Sequence, residues 1–201
     1  MILVGWLLLV YLIGAIPTSY LAAKYGAGID LRQHGSKNLG ATNVYRVLGW
    51  KFALPVGAFD VLKGALPVIV LSPRAGPHEW IPLVIGSAAV LGHAFSIFVR
   101  FKGGKGVATA AGVVLALAPM PLGVAAAVWA ILVWVTGYVS LGSMIGALVF
   151  PVAVLLTDPN DRLTFVVGVA MAAFIIFTHR GNISRLLAGT ESRFRTRGSE
   201  Q

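Results

Sequence analysis

From Ile2 to Ala23 the chain carries no charged side chain, and long apolar runs recur at Phe52–Leu71, Trp80–Val99, Val107–Leu156 and Leu163–Phe177. A helix needs roughly 17–25 predominantly apolar residues to cross the hydrocarbon core of a bilayer, and these runs are of that length or its multiples. With 57% hydrophobic and only 11% charged residues, the chain lacks the polar surface that would keep a domain of 201 residues dispersed in water. The sequence therefore predicts an all-α integral membrane protein forming a single membrane domain over residues 1–201.

Charge decides how the runs are divided. The first cation, Lys24, follows the first run, which argues against a cleaved signal peptide and places the N-terminus outside. Lys24–Lys51 then faces the cytoplasm, Ser72–Glu79 the outside and Arg100–Lys105 the cytoplasm again. The stretch Val107–Leu156 holds two spans or three, with breaks signalled at Pro119-Met-Pro121 and between Gly137 and Gly142. Two spans would put Arg180, Arg185, Arg193, Arg195 and Arg197 on the wrong face; three put them inside. The expectation is a bundle of seven transmembrane helices near 2–23, 52–71, 80–99, 107–118, 122–136, 141–156 and 163–178, with a cytoplasmic C-terminus and a basic, flexible tail over 192–201. The helix at 107–118 covers only about 18 Å at 1.5 Å per residue and is expected to be short. The net charge of +9 follows the positive-inside rule rather than indicating nucleic acid.

Three polar islands interrupt this pattern, all on the expected cytoplasmic face. Gly35-Ser-Lys-Asn-Leu-Gly-Ala-Thr-Asn-Val-Tyr-Arg46 concentrates hydroxyls, amides and cations. Capping alone would account for Ser and Asn, but not for Arg46 as well. Arg100-Phe-Lys-Gly-Gly-Lys-Gly106 pairs glycines, whose N–H groups can converge on an anion, with the point charge of Lys105. It is not a Walker A loop, which would need Gly in place of Val99 and Ser or Thr in place of Gly106. In His179-Arg-Gly-Asn182 an i, i+3 pair shares one helix face. Together the islands suit a site that grips anions beside the membrane. Asp60 and Lys63, also three apart, read as a mutually neutralising intramembrane pair that supports the site. His93 reads as a satisfied interhelical residue. With no cysteine and few, scattered acidic and imidazole groups, no metal site or other cofactor is expected.

In order along the chain, Gly-Ser-x-Asn-x-Gly-Ala-Thr-Asn-x-x-Arg, Phe59-Asp60-x-x-Lys63-Gly64, Gly92-His93-x-Phe95 before Gly103-Gly-Lys-Gly106, and His179-x-x-Asn182 with Arg185 and Glu191 resemble the bacterial PlsY family of acyl-phosphate:glycerol-3-phosphate acyltransferases. The resemblance runs from about residue 10 to 193 and departs where Lys37 replaces the usual glycine and Ser96 a common proline. It implies a seven-helix bundle in the bacterial cytoplasmic membrane with its active site toward the cytoplasm. It also implies transfer of an acyl chain from acyl phosphate to the 1-hydroxyl of glycerol 3-phosphate, giving lysophosphatidic acid and phosphate, as the first acylation of bacterial phospholipid synthesis. By the same resemblance Ser36 and Arg46 are required, the glycines Gly103, Gly104 and Gly106 around Lys105 bind glycerol 3-phosphate, His179 and Asn182 matter for activity, and Glu191 is structural.

Role assignments go further. Arg46 and Lys105 are expected to hold phosphates and oppose developing charge. Ser36, Asn38, Thr42 and Asn43 are expected to hydrogen-bond the acyl phosphate, and Asn182 to orient a substrate. An acyl phosphate is already activated, so positioning counts for more than strong base catalysis. His179 and an oxygen of the donor phosphate are both candidate bases; Ser36 has no base paired with it in sequence and is disfavoured as a covalent nucleophile. The partners implied are the two phosphate substrates and the bilayer, with oligomeric state open and a monomer sufficient. The competing reading is a transporter of an anionic phosphate-containing solute, which would favour inverted repeats meeting at mid-membrane; no internal repeat is evident.

Overall fold

The structure, a computed structural model, describes residues 2–194. Residues 195–201, the greater part of the basic tail expected to be flexible, lie outside the described residues. The described residues are all-helical, with no β-strand. Among the described residues, five helical stretches are long and apolar enough to cross a membrane: Ile2–Ala27, Trp50–Ala75, Ile81–Val99, Pro119–Thr136 and Val139–Thr157. The pair Arg162–Thr178 and Arg180–Leu187, bent by 59°, makes a sixth if taken as one broken span, while Val107–Leu117 is apolar but shorter. The chain divides into two compact units, Met1–Leu117 and Ala118–Gln201.

In the first unit, the opening run is two helices, α1 (Ile2–Ala15) and α2 (Thr18–Ala27). Pro17 lacks the N–H that would continue the ladder, and Thr18 N–H turns back to the Ile16 carbonyl at 3.0 Å. α2 ends at Gly28, whose φ of 69° is left-handed. There Gly28 N–H bonds Lys24 O, the single bond of an αL cap, and Ile29 N–H bonds Ala23 O. A loop with one 3-10 turn at Leu31–Gln33 leads to α3 (Ala41–Leu48). The long α4 (Trp50–Leu66) runs into a π-turn at Pro67–Leu71 and the short α5 (Ser72–Ala75). α6 (Ile81–Ala94), a 3-10 turn at Ile97–Val99 and α7 (Val107–Leu117) complete the unit.

Lipid tails are as apolar as leucine, so close backbone approach and polar contacts, not hydrophobic burial, hold membrane helices together. α1 packs on α6 through glycines from both sides. A methyl on Gly14 would sit 2.2 Å from Ala89 O, and one on Gly92 2.2 Å from Tyr11 O. Side-chain bonds lock the same pair: Tyr11 OH donates to Phe95 O at 2.7 Å and Ser96 Oγ to Ala15 O at 2.5 Å. The Ser96 hydroxyl thus serves the carbonyl at the end of α1, a bond that a proline at this position could not make. Beneath the loop of residues 28–40, Leu31 and Leu39 are buried with Ala23, Val44, Val56 and Val99.

In the second unit, α8 (Pro119–Thr136) and α9 (Val139–Thr157) form an antiparallel pair. Pro119 and Pro121 lie in the first turn of α8, where a missing N–H costs nothing. Gly137, left-handed at φ 77°, ends α8. α10 (Arg162–Thr178) packs on α9 and starts where Asp161 Oδ1 accepts Thr164 N–H at 2.9 Å. His179 stands at the bend before α11 (Arg180–Leu187).

Candidate active site

The Gly35–Arg46 island is a loop and helix organised around one buried amide. Asn43 is 1% exposed. Its Oδ1 accepts the Ser36 N–H at 2.8 Å, and its Nδ2 donates to the carbonyls of Asn38 at 3.0 Å and His34 at 3.1 Å. The side chain expected at the substrate therefore fixes the loop from inside and sets where Ser36 stands. Asp30 holds the other end. Its carboxylate grips the Arg32 guanidinium at 2.7 and 2.9 Å and accepts the Arg32 N–H at 3.0 Å. The hydrogen bonds from Arg32 hold this carboxyl below its usual range. Lys37 sits in the left-handed region at φ 61°, where a Cβ is strained and the glycine that the resemblance leads one to expect would not be. Ser36, Asn38, Thr42 and Arg46 are all partly exposed. α3 begins at Ala41, so Thr42 lies in its first turn, at the positive end of the helix dipole.

The second island meets the first. Gly103 N–H donates to Ala94 O at 3.0 Å and Gly104 N–H to His93 O at 3.1 Å. These two N–H groups are spent on the end of α6 rather than turned toward a ligand, which departs from the cradle that the glycines suggested. The glycines are needed for another reason, namely space. A methyl on Gly103 would lie 2.0 Å from His93 O, and one on Gly104 2.1 Å from His93 Nε2 and 2.5 Å from Leu39 O. Gly104 thus packs where the His93 imidazole and the loop that carries Ser36 converge, with no room for a side chain. Lys105 follows at once, partly exposed, before Gly106 at φ 83° opens α7.

Asp60 and Lys63 are 1% and 3% exposed and lie 2.6 Å apart. Thr18 Oγ1 also donates to Asp60 Oδ1 at 2.6 Å, and Lys63 Nζ donates to Ile16 O at 3.0 Å. The pair satisfies a carbonyl at the break between α1 and α2, so its contribution is to hold three elements in register. Thr18 and the Ile16–Pro17 break have no signal in the sequence beyond one proline.

Within the second unit, His179 is 2% exposed and its Nδ1 lies 2.7 Å from Ile175 O. A carbonyl can only accept, so Nδ1 carries a proton, and in the neutral ring Nε2 is the acceptor nitrogen. Asn182 is buried, and its Nδ2 donates to Glu191 Oε1 at 2.6 Å. Ser140 Oγ donates to the same oxygen at 2.7 Å, and Arg185 Nε donates to Oε2 at 2.7 Å. Burial alone would raise the Glu191 carboxyl; the hydrogen bonds from Ser140, Asn182 and Arg185 outweigh it and hold the group below its ordinary value. Beyond it, Phe194 N–H bonds Gly137 O at 2.7 Å and the Arg193 guanidinium lies 5.3 Å from the centre of the Tyr138 ring. Ser140 escapes a reading of the sequence because its partner lies 51 residues away. Among the described residues no group of His, Asp and Glu is arranged to hold a metal ion.

Apolar helices joined by loops that gather hydroxyls, amides and cations define an integral membrane protein equipped to handle anions. Residues 4–189 match the sequence profile of the family described as glycerol-3-phosphate acyltransferase. A glycerol-3-phosphate acyltransferase of Trichlorobacter lovleyi is 47% identical over 190 residues, covering 94% of this chain and 96% of that one. One of Fusobacterium nucleatum is 43% identical, covering 94% and 97%. The crystal structure of PlsY, an integral membrane glycerol 3-phosphate acyltransferase, in its glycerol 3-phosphate form matches with a TM-score of 0.89 at 38% identity over 96% of each chain. Its lysophosphatidic acid form matches with a TM-score of 0.85. The chain belongs to the glycerol-3-phosphate acyltransferase (PlsY) family.

Proposed function

We propose that this protein transfers a fatty acyl group from acyl phosphate to the 1-hydroxyl of glycerol 3-phosphate, giving lysophosphatidic acid and phosphate, the first acylation of bacterial phospholipid synthesis. The observation that carries the reading is the junction of the first two islands at Leu39 and Gly104, which sets the loop of Ser36 against that of Lys105. A reaction between two phosphate-bearing substrates needs cations to offset their repulsion, and Arg46 and Lys105 supply them. Ser36, Asn38 and Thr42 hydrogen-bond the acyl phosphate, while Asn43 holds their loop. Gly103, Gly104 and Gly106 let the chain around Lys105 approach glycerol 3-phosphate closely. Asn182, anchored by Glu191, orients substrate.

In the reaction, the 1-hydroxyl oxygen forms a bond to the acyl carbonyl carbon. The bond from that carbon to the phosphate oxygen breaks, and the electron pair leaves with phosphate. The hydroxyl proton passes to a base, for which His179 Nε2 and an oxygen of the donor phosphate are the two candidates. In the His179→Ala variant, loss of the chemical step with substrate binding intact assigns the base to His179; retained turnover assigns it to the donor phosphate.

The positive-inside distribution supports a single membrane domain of seven spans, with the N-terminus outside and the C-terminus and active site on the cytoplasmic side of the bacterial inner membrane. A monomer contains every residue named. Since the chain has no cysteine, single cysteines at positions 37, 78, 102 and 160 can be labelled without background by an impermeant maleimide. Labelling of 78 and 160 from outside, and of 37 and 102 only after the membrane is opened, is expected; the reverse would overturn the topology. Purified protein mixed with palmitoyl phosphate and glycerol 3-phosphate should release phosphate. No release, with uptake of glycerol 3-phosphate into vesicles instead, would replace the acyltransferase reading with a transporter.

A further inference from the structure

His93 has no part in the chemistry above, yet it touches both polar assemblies of the first unit. Its Nδ1 faces Asp60 Oδ1 at 3.7 Å, an electrostatic rather than hydrogen-bonding distance. That carboxylate oxygen is itself fixed by Thr18 and Lys63, each at 2.6 Å. At the other edge of the ring, Nε2 rests on Gly104 so tightly that a single methyl there would lie 2.1 Å away. The His93 carbonyl accepts the Gly104 N–H at 3.1 Å. Gly104 is therefore held by both the main chain and the side chain of one residue, and the Leu39 carbonyl closes on the same face of the glycine. His93 is buried, so the imidazole has little room to rotate.

We propose that His93 is a positioning residue: it clamps Gly104 against the Ser36 loop and thereby sets the place of Lys105, while the Asp60–Lys63 pair fixes the ring. The carboxylate facing Nδ1 favours the tautomer with the proton on Nδ1. Sequence alone suggests only a satisfied interhelical histidine. What the ring packs on in the structure is a loop preceding a proposed phosphate-binding lysine. This inference rests on the acyltransferase reading for the role of Lys105.

The test is a double-mutant cycle read by two assays: phosphate release with each substrate varied in turn, and calorimetric binding of glycerol 3-phosphate. His93→Ala is expected to raise KM for glycerol 3-phosphate at least tenfold and that for palmitoyl phosphate less than twofold. His93→Ala combined with Lys105→Ala should bind glycerol 3-phosphate no more weakly than Lys105→Ala alone, because a residue acting through Lys105 has nothing left to act on. Equal effects on both KM values, or losses that multiply in the double variant, would overturn the proposal. If His93→Ala does not fold, His93→Gln and His93→Asn decide. The longer amide reaches toward Gly104 and should keep KM within threefold of wild type, whereas the shorter one serves only the Asp60 side and should not; equal behaviour of the two refutes the clamp. A wild type that binds glycerol 3-phosphate but releases no phosphate sinks the acyltransferase reading alone, and the binding cycle still decides on His93. A wild type that does not bind it sinks both.

Discussion

Replacing Glu191 by glutamine separates the charge of this residue from its shape. In Glu191→Gln the amide can still offer one oxygen to Ser140 and Asn182, where Glu191 Oε1 now accepts at 2.7 and 2.6 Å. The amide nitrogen then faces Arg185 Nε, which at present donates to Oε2 at 2.7 Å, so a donor meets a donor. A charge-assisted hydrogen bond contributes about 1.5–3 kcal/mol. The Arg185 side chain is 42% exposed and recovers part of this from water, leaving about 1–2 kcal/mol. The two surviving bonds lose their charge assistance, roughly 0.5 kcal/mol each. The total is about 2–3 kcal/mol for Glu191→Gln. Glu191→Ala strands two buried donors as well, at about 1–3 kcal/mol each, for roughly 3–8 kcal/mol. Thermal unfolding in detergent should rank the proteins in the order wild type, Glu191→Gln, Glu191→Ala, with the first step about 4–12 °C at 2–4 °C per kcal/mol. Phosphate release should survive in Glu191→Gln, where Asn182 keeps its anchor, and fall at least tenfold in Glu191→Ala. Equal damage from both substitutions, or a glutamine variant indistinguishable from wild type, would refute the reasoning.

Three further outcomes are expected. Lowering the pH should loosen the same cluster: because the folded Glu191 carboxyl titrates below its ordinary value of 4.5, its stabilisation is fully present above that value and is lost as pH falls through the lower folded one. Acid unfolding of the wild type below about pH 4.5 should therefore be steeper than that of Glu191→Gln, which has no group to protonate there. Asn43→Ala removes the partner of the Ser36 N–H and of two loop carbonyls, and should cost about 2–4 kcal/mol by thermal unfolding, with phosphate release falling at least tenfold; an active, fully stable variant would show that the loop holds itself. Lys37→Gly relieves a left-handed side chain, of order 1 kcal/mol, but gives the unfolded chain a comparable freedom. Stability in denaturant should hence change by less than about 0.5 kcal/mol, and a loss above about 1 kcal/mol would mean that the ammonium has a folded-state partner.

The apolar runs were legible because a bilayer imposes a length that composition alone reveals. The breaks in Pro119–Pro121 and at Gly137 were legible for a similar reason, since proline and glycine act on their own backbone. What could not be read were the interruptions and pairings created between distant segments. The first run looks continuous through Ala23, yet it breaks at Pro17, and the carbonyl so freed finds Lys63, 47 residues away. Gly103 and Gly104 stood out in the sequence as a possible anion cradle, whereas in the structure their N–H groups bond the end of α6 and they pack on His93. Asn43 was recognisable as important from its motif, whereas its inward direction depends on where Leu31, His34 and Asn38 come to lie. Motif order along the chain singled these residues out; their neighbours came only with the packing.

The buried pair at Asp60 and Lys63 also bears on how the chain enters the membrane. At the middle of an inserting helix each such charge opposes insertion by about 2.5–3.5 kcal/mol, which roughly offsets the gain from the leucines, valines and phenylalanines of the same segment. Asp60 and Lys63 neutralise each other, but their remaining hydrogen-bond partners, Thr18 and the Ile16 carbonyl, belong to the preceding span. The Trp50–Ala75 segment is thus poised between bilayer and water until the first span lies beside it. The order of translation supplies that neighbour in advance, so a truncated chain lacking residues before Lys24 should leave its next hydrophobic segment poorly inserted at the translocon.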